Sequence, residues 1–503
     1  MSEMWCRFSS RLPLPAMMRT CSSTASSACS QQAQTWTRMA GGSDIKEIRE
    51  HMWNSFLGVD HRTVELPWCK DRWADAVAAA AEKRETAAPF QPDIEPHTVE
   101  DSKVVGYIPL GTSAERRIAY MNIMGGVRAG LLLEDMDIIA AYSAYMHCSQ
   151  HGNLDDAKHL LIVTALVDRL DIREKISLER DIRLTGMVSW VGTSSMEVTI
   201  FIDQEDGSAD CTSTAENTAN TCTASANTAD HAVSYAEQSS NDIRQWKRLA
   251  EATLVMVGRD PTTNEAAQIN FLQLRTPEEI DMFQQGEKRK AARQKMAKES
   301  LTRHPPNEDE RKTVHELFLQ TVDSSSASLQ DDPRLPEGSV WMSDTRMSSV
   351  RLCHPQHRNI HNKVFGGYLM RQAFELAWAS VSVFTQSLPQ FIAMDDTFFQ
   401  VPVEIGDMLE FKAQIVFTEG PYLQVSVHAE KFGHVSGARQ TTNVFHFTFA
   451  SLEKEPLRIL PKTYSEAMRH IHGKRCYDKA MHRLNSYRAG PANNHQRPLV
   501  SKL

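Results

Sequence analysis

The sequence has no apolar run of the roughly 18 residues that a membrane-spanning helix needs, so we expect a soluble protein. It also lacks an excess of positive charge. The formal net charge of −8 argues against nucleic acid as the main partner, because such binding depends on neutralising phosphates. Its nine cysteines show no CxxC pair and no regular spacing. That pattern favours free thiols in a reducing compartment over a disulfide framework or a zinc site, and we expect neither a metal nor a redox cofactor.

The sequence does contain enough hydrophobic residues to form more than one core. Of its 503 residues, 41% are hydrophobic and 23% are charged, a globular composition for two or three domains. The longest nearly uninterrupted apolar helix pattern runs from Asn359 to Phe384. A helix that is apolar almost all round must be buried on most sides, so this segment is the predicted centre of a folded unit.

The residues after Pro389 predict a sheet that covers this helix. They form runs of alternating apolar and polar residues, rich in Val, Ile, Phe and Thr and separated by turn residues. Such runs are typical of antiparallel strands. A buried helix followed by several antiparallel strands is the hotdog arrangement, in which a curved sheet wraps a central helix.

The same pattern occurs earlier in the chain, between Asn122 and Met146. When Asn122 is laid on Asn359, three further pairs match: Val127 with Val364, Gly130 with Gly367, and Leu132 with Leu369. The strands repeat at a different offset, because the helix-to-strand loop of the first copy is longer. The matching strand pairs are Asp168 with Asp395, Ile172 with Phe399, and Met196 with Leu423. Such a repeat predicts two copies of one fold in a single chain.

The second copy also resembles a known family. Its segments VFGGYLM, AMDDTFFQVPVEIGD and TTNVFHFTF are similar to the mitochondrial acyl-coenzyme A thioesterases of the double-hotdog type, the acyl-CoA thioesterase 9 family. The resemblance covers Asn359 to Ser451 and implies an α+β fold of two hotdog units in one chain. It further implies hydrolysis of fatty acyl-CoA to free fatty acid and coenzyme A by water attack between the units. Coenzyme A is then part of the substrate rather than a cofactor, and such chains assemble into homo-oligomers.

The predicted domain organisation follows from the two copies and the segments around them. In chain order it comprises a transit-peptide-like disordered segment (1–42), an N-terminal helical extension (43–100), a first hotdog domain (101–280) with a disordered insertion (206–242), a charged linker (281–335), a second hotdog domain (336–455), and a C-terminal helix and tail (456–503). The insertion is rich in Thr, Ser, Ala and Asn and cannot bury enough apolar surface to offset its ordering entropy. The linker is interpreted as a solvated helical connector, or alternatively as a basic contact for the phosphates of coenzyme A.

The two ends of the chain carry competing targeting patterns. Residues 1–42 contain four arginines, many serines and a single acid, Glu3. This composition is typical of an organellar transit peptide, although a plain disordered tail is the alternative. The last three residues, Ser501 to Leu503, read SKL, the tripeptide of peroxisomal import. The family resemblance favours the mitochondrial matrix, and the peroxisome is the alternative.

Thioester hydrolysis needs a group that activates water or attacks directly, donors for the oxyanion, and a slot for the acyl chain. Two acids are candidates for the first role. Glu375 lies in an otherwise apolar helix, which predicts weak solvation and a raised pKa; an ion pair with Arg371 is the alternative. Asp137 stands seven residues after Gly130, where the wider family carries its acid, whereas Phe374 occupies that position in the second copy. We therefore expect a single, asymmetric active site, and which of the two acids works there is left open.

The predicted oxyanion and substrate-binding residues are Gly366, Gly367, Tyr368 and Lys363. Glycines at a helix start let the backbone approach a ligand and leave N–H groups pointing outward at the positive end of the helix dipole. The N–H of Gly367 or Tyr368 is the expected donor, and close helix-to-sheet packing is the alternative reason for the glycines. Asn362 is predicted either to orient water or to cap the helix start.

Two other functions are weighed against hydrolysis. A hotdog dehydratase acting on hydroxyacyl thioesters requires a His and Asp pair near the helix start, and no such pair is found in the right place. His428 and His446 lie on predicted strands and are interpreted as structural. A non-catalytic acyl-CoA-binding or scaffolding protein is the remaining alternative, and thiol release from acyl-CoA distinguishes it from an enzyme.

Overall fold

The computed structural model describes eight stretches of the chain: 42–57, 95–149, 160–205, 245–261, 263–322, 333–359, 363–433 and 437–489. The predicted transit segment apart from its last residue, the predicted insertion and the SKL tripeptide lie outside these stretches. Within them, no helix is both long enough and apolar enough to cross a membrane.

The described residues contain seven α-helices and sixteen β-strands. The helices are α1 (Ile45–Leu57), α2 (Ala114–Tyr120), α3 (Ala129–Cys148), α4 (Pro277–Lys298), α5 (Glu308–Thr321), α6 (Gly366–Thr385) and α7 (Tyr464–Ala489). The strands up to the linker are β1 (Ser43–Asp44), β2 (His97–Thr98), β3 (Val104–Ile108), β4 (Leu161–Ile172), β5 (Ile182–Val191), β6 (Ser195–Glu205), β7 (Trp246–Arg259) and β8 (Leu272–Gln273). Those after it are β9 (Ser339–Trp341), β10 (Met347–Leu352), β11 (Gln390–Asp395), β12 (Thr397–Phe398), β13 (Met408–Glu419), β14 (Tyr422–Phe432), β15 (Arg439–Ala450) and β16 (Arg458–Leu460).

Most of the strands form one twelve-stranded sheet. Its order is β1-β3-β5-β6-β7-β4-β11-β15-β14-β13-β10, with β12 paired to β4. In this spatial order, the six strands from β1 to β4 precede the linker in the chain, and the five strands from β11 to β10 follow it. The halves join where β4 pairs antiparallel with β11, which sets Asp171 beside Ala393 and Leu170 beside Met394. The sheets of the two copies therefore run on continuously.

Two long helices lie at the centre of the fold. α3 packs against β5 and β6, α6 packs against β13 and β14, and the two helices pack against each other. Their apolar residues belong to one continuous core, with Met136 and Ile139 of α3 and Met370 and Ala377 of α6 fully buried. The predicted α+β fold is therefore confirmed: two hotdog units in one chain, each with its sheet around a long helix.

The loops that precede the two central helices close with the same hydrogen bonds. The N–H of Asn122 donates to the carbonyl oxygen of Gly126 (2.8 Å), and the N–H of Asn359 donates to that of Lys363 (2.6 Å). In each loop the asparagine side-chain oxygen also accepts from the backbone N–H four residues on, at 2.9 Å in the first and 3.0 Å in the second. Both helices then run for 20 residues. Asn122 and Asn359 thus occupy equivalent positions in the two units.

The first helix of the charged linker, α4, is docked on the first unit. A Cβ atom at Gly286 would lie 2.6 Å from Cβ of Trp190 on β5, so glycine is needed for this approach. Arg289 and Arg293 contact the carboxylate of the fully buried Glu197 at 2.8 Å and 2.5 Å. Asp168, which is also buried, contacts Arg293 at 3.5 Å. Because two buried carboxylates pair with these two cations, the expectation of a solvated connector is wrong for this face of α4.

Candidate active site

One acid of α3 reaches the start of α6. The side chain of Asp137 is fully buried, and its two carboxylate oxygens have separate donors. Oδ2 accepts the backbone N–H of Gly367 at 2.6 Å, and Oδ1 accepts the hydroxyl of Thr164 at 2.7 Å. An acid of the first unit thus meets the glycine pair of the second.

α6 begins without a cap from its own loop. Its N-cap residue, Phe365, makes no side-chain cap hydrogen bond, and the first N–H groups of a helix have no acceptor within it. Asp137 accepts one of them, at the positive end of the helix dipole. A Cβ atom at Gly366 would lie 3.0 Å from Oδ2 of Asp137, and one at Gly367 would lie 2.9 Å from Cα of Glu134. Glycine is therefore needed at Gly367 for the two helices to come this close, and at Gly366 a side chain would crowd the carboxylate of Asp137.

The surroundings of Asp137 raise its pKa to about 6. Burial is the largest cause, because removing a carboxyl from water disfavours its charged form. The hydrogen bonds from Thr164 and Gly367 oppose the rise, and the charge of Glu134 adds to it. A carboxyl with a pKa near 6 is ionised at neutral pH and still basic enough to take a proton from an attacking water.

Thr164 is the residue of this site that the sequence analysis misses. It lies on β4, beyond the longer helix-to-strand connection of the first unit, so its separation from Asp137 along the chain carries no information. The available signal is a hydroxyl inside the apolar run LIVTALV, residues 161–167. A hydroxyl removed from water needs a hydrogen-bond partner, and here that partner is the candidate base.

The equivalent position in the second unit holds an aromatic ring. A Cβ atom at Gly130 would lie 3.4 Å from Cδ1 of Phe374, so this ring faces the start of α3 much as Asp137 faces the start of α6. The Phe374 ring packs edge-on against Phe391, with centroids 4.9 Å apart. When the starts of α3 and α6 are compared, only the start of α6 therefore faces a buried carboxylate.

Glu375 lies in ion pairs rather than in an apolar pocket. Its Oε1 contacts Nη2 of Arg128 at 2.6 Å and Nε of Arg371 at 3.2 Å, and 39% of its side chain is exposed. The expected weak solvation is wrong, because the carboxylate is shared between two cations and solvent. The ion pair with Arg371 that the spacing permits is present, and a catalytic role for Glu375 stays a prediction.

Several curated proteins are similar to this chain over most of its length. Acyl-coenzyme A thioesterase 9, mitochondrial, from Bos taurus is 39% identical over 415 residues, which cover 82% of this chain and 86% of that protein. Acyl-coenzyme A thioesterase 10, mitochondrial, from Mus musculus is 39% identical over 408 residues, 80% of this chain and 84% of that protein. The chain belongs to this thioesterase family.

Solved structures similar to this thioesterase include an acyl-CoA hydrolase from Staphylococcus aureus in complex with butyryl coenzyme A. That chain is 20% identical, with a TM-score of 0.28, and the match covers 30% of this chain and 96% of that one. No protein-family model matches this chain.

The remaining predicted residues of the thioesterase site lie in or next to the loop before α6. The ammonium group of Lys363 forms an ion pair with Glu404. The ring of Tyr368 stacks on that of His357, with centroids 3.9 Å apart. Asn362 lies outside the described residues. Roles for these residues in binding substrate or orienting water stay predictions.

Proposed function

We propose that this chain hydrolyses acyl-CoA at a single active site at the start of α6, with Asp137 as the base that activates water. The observation that carries the proposal is the 2.6 Å hydrogen bond from Gly367 to Asp137. It joins the anion-stabilising end of one unit's helix to the buried acid of the other. The substrate class is supported by the family, whose bovine and mouse members are named acyl-coenzyme A thioesterases.

The reaction consumes one water and needs no further reactant. The oxygen of that water bonds to the thioester carbonyl carbon while Asp137 takes one of its protons. The carbonyl oxygen becomes an oxyanion, which the N–H groups of Gly366, Gly367 and Tyr368 stabilise at the positive end of α6. Collapse of this intermediate breaks the C–S bond, and the proton held by Asp137 passes to the thiolate of coenzyme A. The products are the fatty acid and free coenzyme A.

The N–H of Gly367 couples the base to the oxyanion position. Its hydrogen bond lowers the pKa of Asp137. When a substrate carbonyl oxygen accepts this N–H instead, the carboxylate loses that support, and its pKa rises further because burial is then opposed mainly by Thr164. Substrate binding thus strengthens the base when water must be activated.

Thiol release from acyl-CoA substrates of several chain lengths tests this function, with Asp137→Asn and Glu375→Gln assayed in parallel. We expect Asp137→Asn to lose thiol release and Glu375→Gln to retain most of it, because the Glu375 ion pairs lie away from the start of α6. Acyl-CoA binding without thiol release by the wild-type chain would instead favour the non-catalytic binding protein. Equal losses in both variants would contradict the assignment of Asp137 as the base.

Residence in the mitochondrial matrix is part of the same proposal. It is supported by the names of the bovine and mouse relatives, both called mitochondrial, and by the arginine-containing, nearly acid-free composition of residues 1–42. Imaging of the full chain, of a chain without residues 1–42 and of a chain without the SKL tripeptide distinguishes the two addresses. Peroxisomal location of the full chain would overturn the matrix assignment.

Assembly into homo-oligomers of double-hotdog chains is also proposed. Ile118 and Ile123, close to the loop before α3, are 70% and 82% exposed. Large apolar side chains that are grouped and exposed in this way are typical of interaction surfaces. Light scattering on the purified full chain is expected to give a mass of several chains, and the mass of one chain would contradict the proposal.

A further inference from the structure

A second group of reactive side chains lies between α7 and β15, outside the proposed active site. It consists of His446 on β15 and of His472 and Cys476 on α7. The atoms with which these side chains can bind a metal all lie within 4.8 Å of one another. The sequence does not predict a metal set here, because two of the residues come from a helix and one from a strand.

Local geometry brings the three side chains together. His472 and Cys476 are four residues apart and therefore share one face of α7, with Sγ of Cys476 3.7 Å from Nδ1 of His472. A Cβ atom at Gly473 would lie 2.8 Å from Cγ2 of Val416, so glycine lets α7 lie close on the sheet. The ring centroids of His446 and His472 are then 4.4 Å apart.

The group faces away from the catalytic helices. The Phe447 ring contacts Phe374 of α6, with centroids 5.7 Å apart, and successive side chains of a strand point to opposite faces. His446 consequently points to the other face of the sheet, where α7 packs against β13, β14 and β15. An ion held there would not reach the acyl thioester, so its role would be structural.

The donor set matches a borderline-soft transition metal. Zn²⁺ binds thiolate and imidazole ligands tetrahedrally at about 2.3 Å and about 2.0 Å, which places neighbouring ligand atoms about 3.3–3.8 Å apart. The 3.7 Å between Cys476 and His472 already satisfies this spacing. The other ligand atoms lie within 4.8 Å of one another, so binding requires a shift of the His446 or His472 side chain. His472 is exposed, which gives an ion a path into the group.

A carboxylate lies beside the group. Asp395 on β11 lies directly beside His446 in the sheet register, and its carboxylate contacts Lys479 at 3.5 Å and Arg483 at 3.7 Å. Either this carboxylate or a water completes a tetrahedral set. Metal binding releases the proton of the Cys476 thiol to solvent as the thiolate forms.

We propose that His446, His472 and Cys476 form a site for one Zn²⁺ ion that fastens α7 to the second hotdog unit. The geometry that supports it is the convergence of two imidazoles and a thiol from a strand and a helix at near-ligand spacing. A metal in this position links the C-terminal helix to the sheet, as structural zinc links elements in small domains.

Metal titration of the purified full chain tests the site. After treatment with a chelator, the wild-type chain is titrated with Co²⁺, whose thiolate-to-metal charge-transfer band reports a cysteine ligand, and then with Zn²⁺ in competition with a chromogenic chelator. Cys476→Ser and His472→Gln remove one ligand each. Cys353→Ser is the matched control, because Cys353 is another buried free thiol of the second unit. Circular dichroism checks that each variant is folded.

The expected result is one equivalent of metal with the thiolate band in the wild type and in Cys353→Ser. The band should vanish in Cys476→Ser, and affinity should fall at least about tenfold in His472→Gln, because the exposed His472 supplies a ligand with little effect on folding. The proposal is overturned if the wild-type chain binds no equivalent of Zn²⁺ or shows no thiolate band. It is equally overturned if His472→Gln binds as tightly as the wild type.

Discussion

Replacing Asp137 by asparagine separates the chemical role of this acid from its cost to the fold. Asparagine has nearly the same shape and still offers an oxygen to the N–H of Gly367, so the approach of α6 to α3 is preserved. It has no basic carboxylate, however, and loss of a general base lowers kcat by about 10²–10⁴-fold. We therefore expect a large fall in kcat with a small change in KM.

The same substitution is expected to stabilise the fold at neutral pH. The pKa of Asp137 is raised from 3.8 to about 6 in the folded chain, so the folded state binds the proton more readily than the unfolded one. Its ionised form therefore costs the fold about 3 kcal/mol near pH 7. This cost falls to about half near pH 5, and it vanishes below the unfolded pKa. Asp137→Asn should raise the free energy of unfolding by up to this amount, and the gain should shrink as the pH falls.

Two measurements check this prediction together. The kcat/KM for thiol release should rise with pH in the wild type as Asp137 of the free enzyme ionises, with an apparent pKa near 6, and then level off. Denaturant unfolding of the wild type and of Asp137→Asn at neutral and at mildly acidic pH should show the pH-dependent gain in stability. Asp135→Asn is the control, because Asp135 is buried on the same helix but accepts its hydrogen bond from Tyr120 at 2.5 Å instead of from Gly367.

Either of two results would contradict the role of Asp137 as the base. If Asp137→Asn kept wild-type kcat, the base would lie elsewhere. If it lost activity but also lost stability equally at both pH values, the carboxylate would be a structural cap of α6 rather than a destabilised acid. A loss of thiol release in Asp135→Asn as large as that in Asp137→Asn would show that activity does not depend specifically on the carboxylate that contacts Gly367.

Three further substitutions probe the same site. Thr164→Val removes the hydroxyl that lowers the pKa of Asp137, so the pH–rate profile should shift to higher pH and kcat should fall about tenfold. Thr164→Ser should restore both, and a profile at an unchanged pH would contradict this. Gly366→Ala puts a Cβ atom 3.0 Å from Oδ2 of Asp137, and in steady-state kinetics it should lower kcat more than it raises KM. An unchanged kcat would show that the start of α6 can move. Phe374→Ala should lower the free energy of unfolding by about 3–5 kcal/mol while folded molecules keep thiol release, and denaturant titration with parallel assays checks both.

Much of the fold was predictable because its signals are local. The apolar pattern from Asn359 to Phe384 predicts a buried helix, and alternation after Pro389 predicts strands, since each depends on neighbours within a few residues. The matching of Asn122 with Asn359 needed only comparison of two stretches of one chain. The glycines at the start of α6 were predictable for the same reason, because a helix start and its unpaired N–H groups are local features.

The choice of acid and its partners was not predictable, because it depends on how the two units dock. Asp137 and Glu375 both lie on apolar helices, and only the packing of α3 against α6 buries one and leaves the other beside Arg128 and solvent. Thr164 contacts Asp137 because β4 packs beside α3. The length of the connection between these two elements does not predict which of their residues meet.

The sequence by itself determined that this protein is two copies of a helix and its sheet, since apolar periodicity dictates which faces must leave water. Only the tertiary structure decided that an acid of one copy meets the glycine pair of the other. It also decided that His446 meets His472 and Cys476 on the face of the sheet opposite to α3 and α6. Those contacts join residues far apart in the chain, and their distances are set by the packing of whole elements rather than by any local preference.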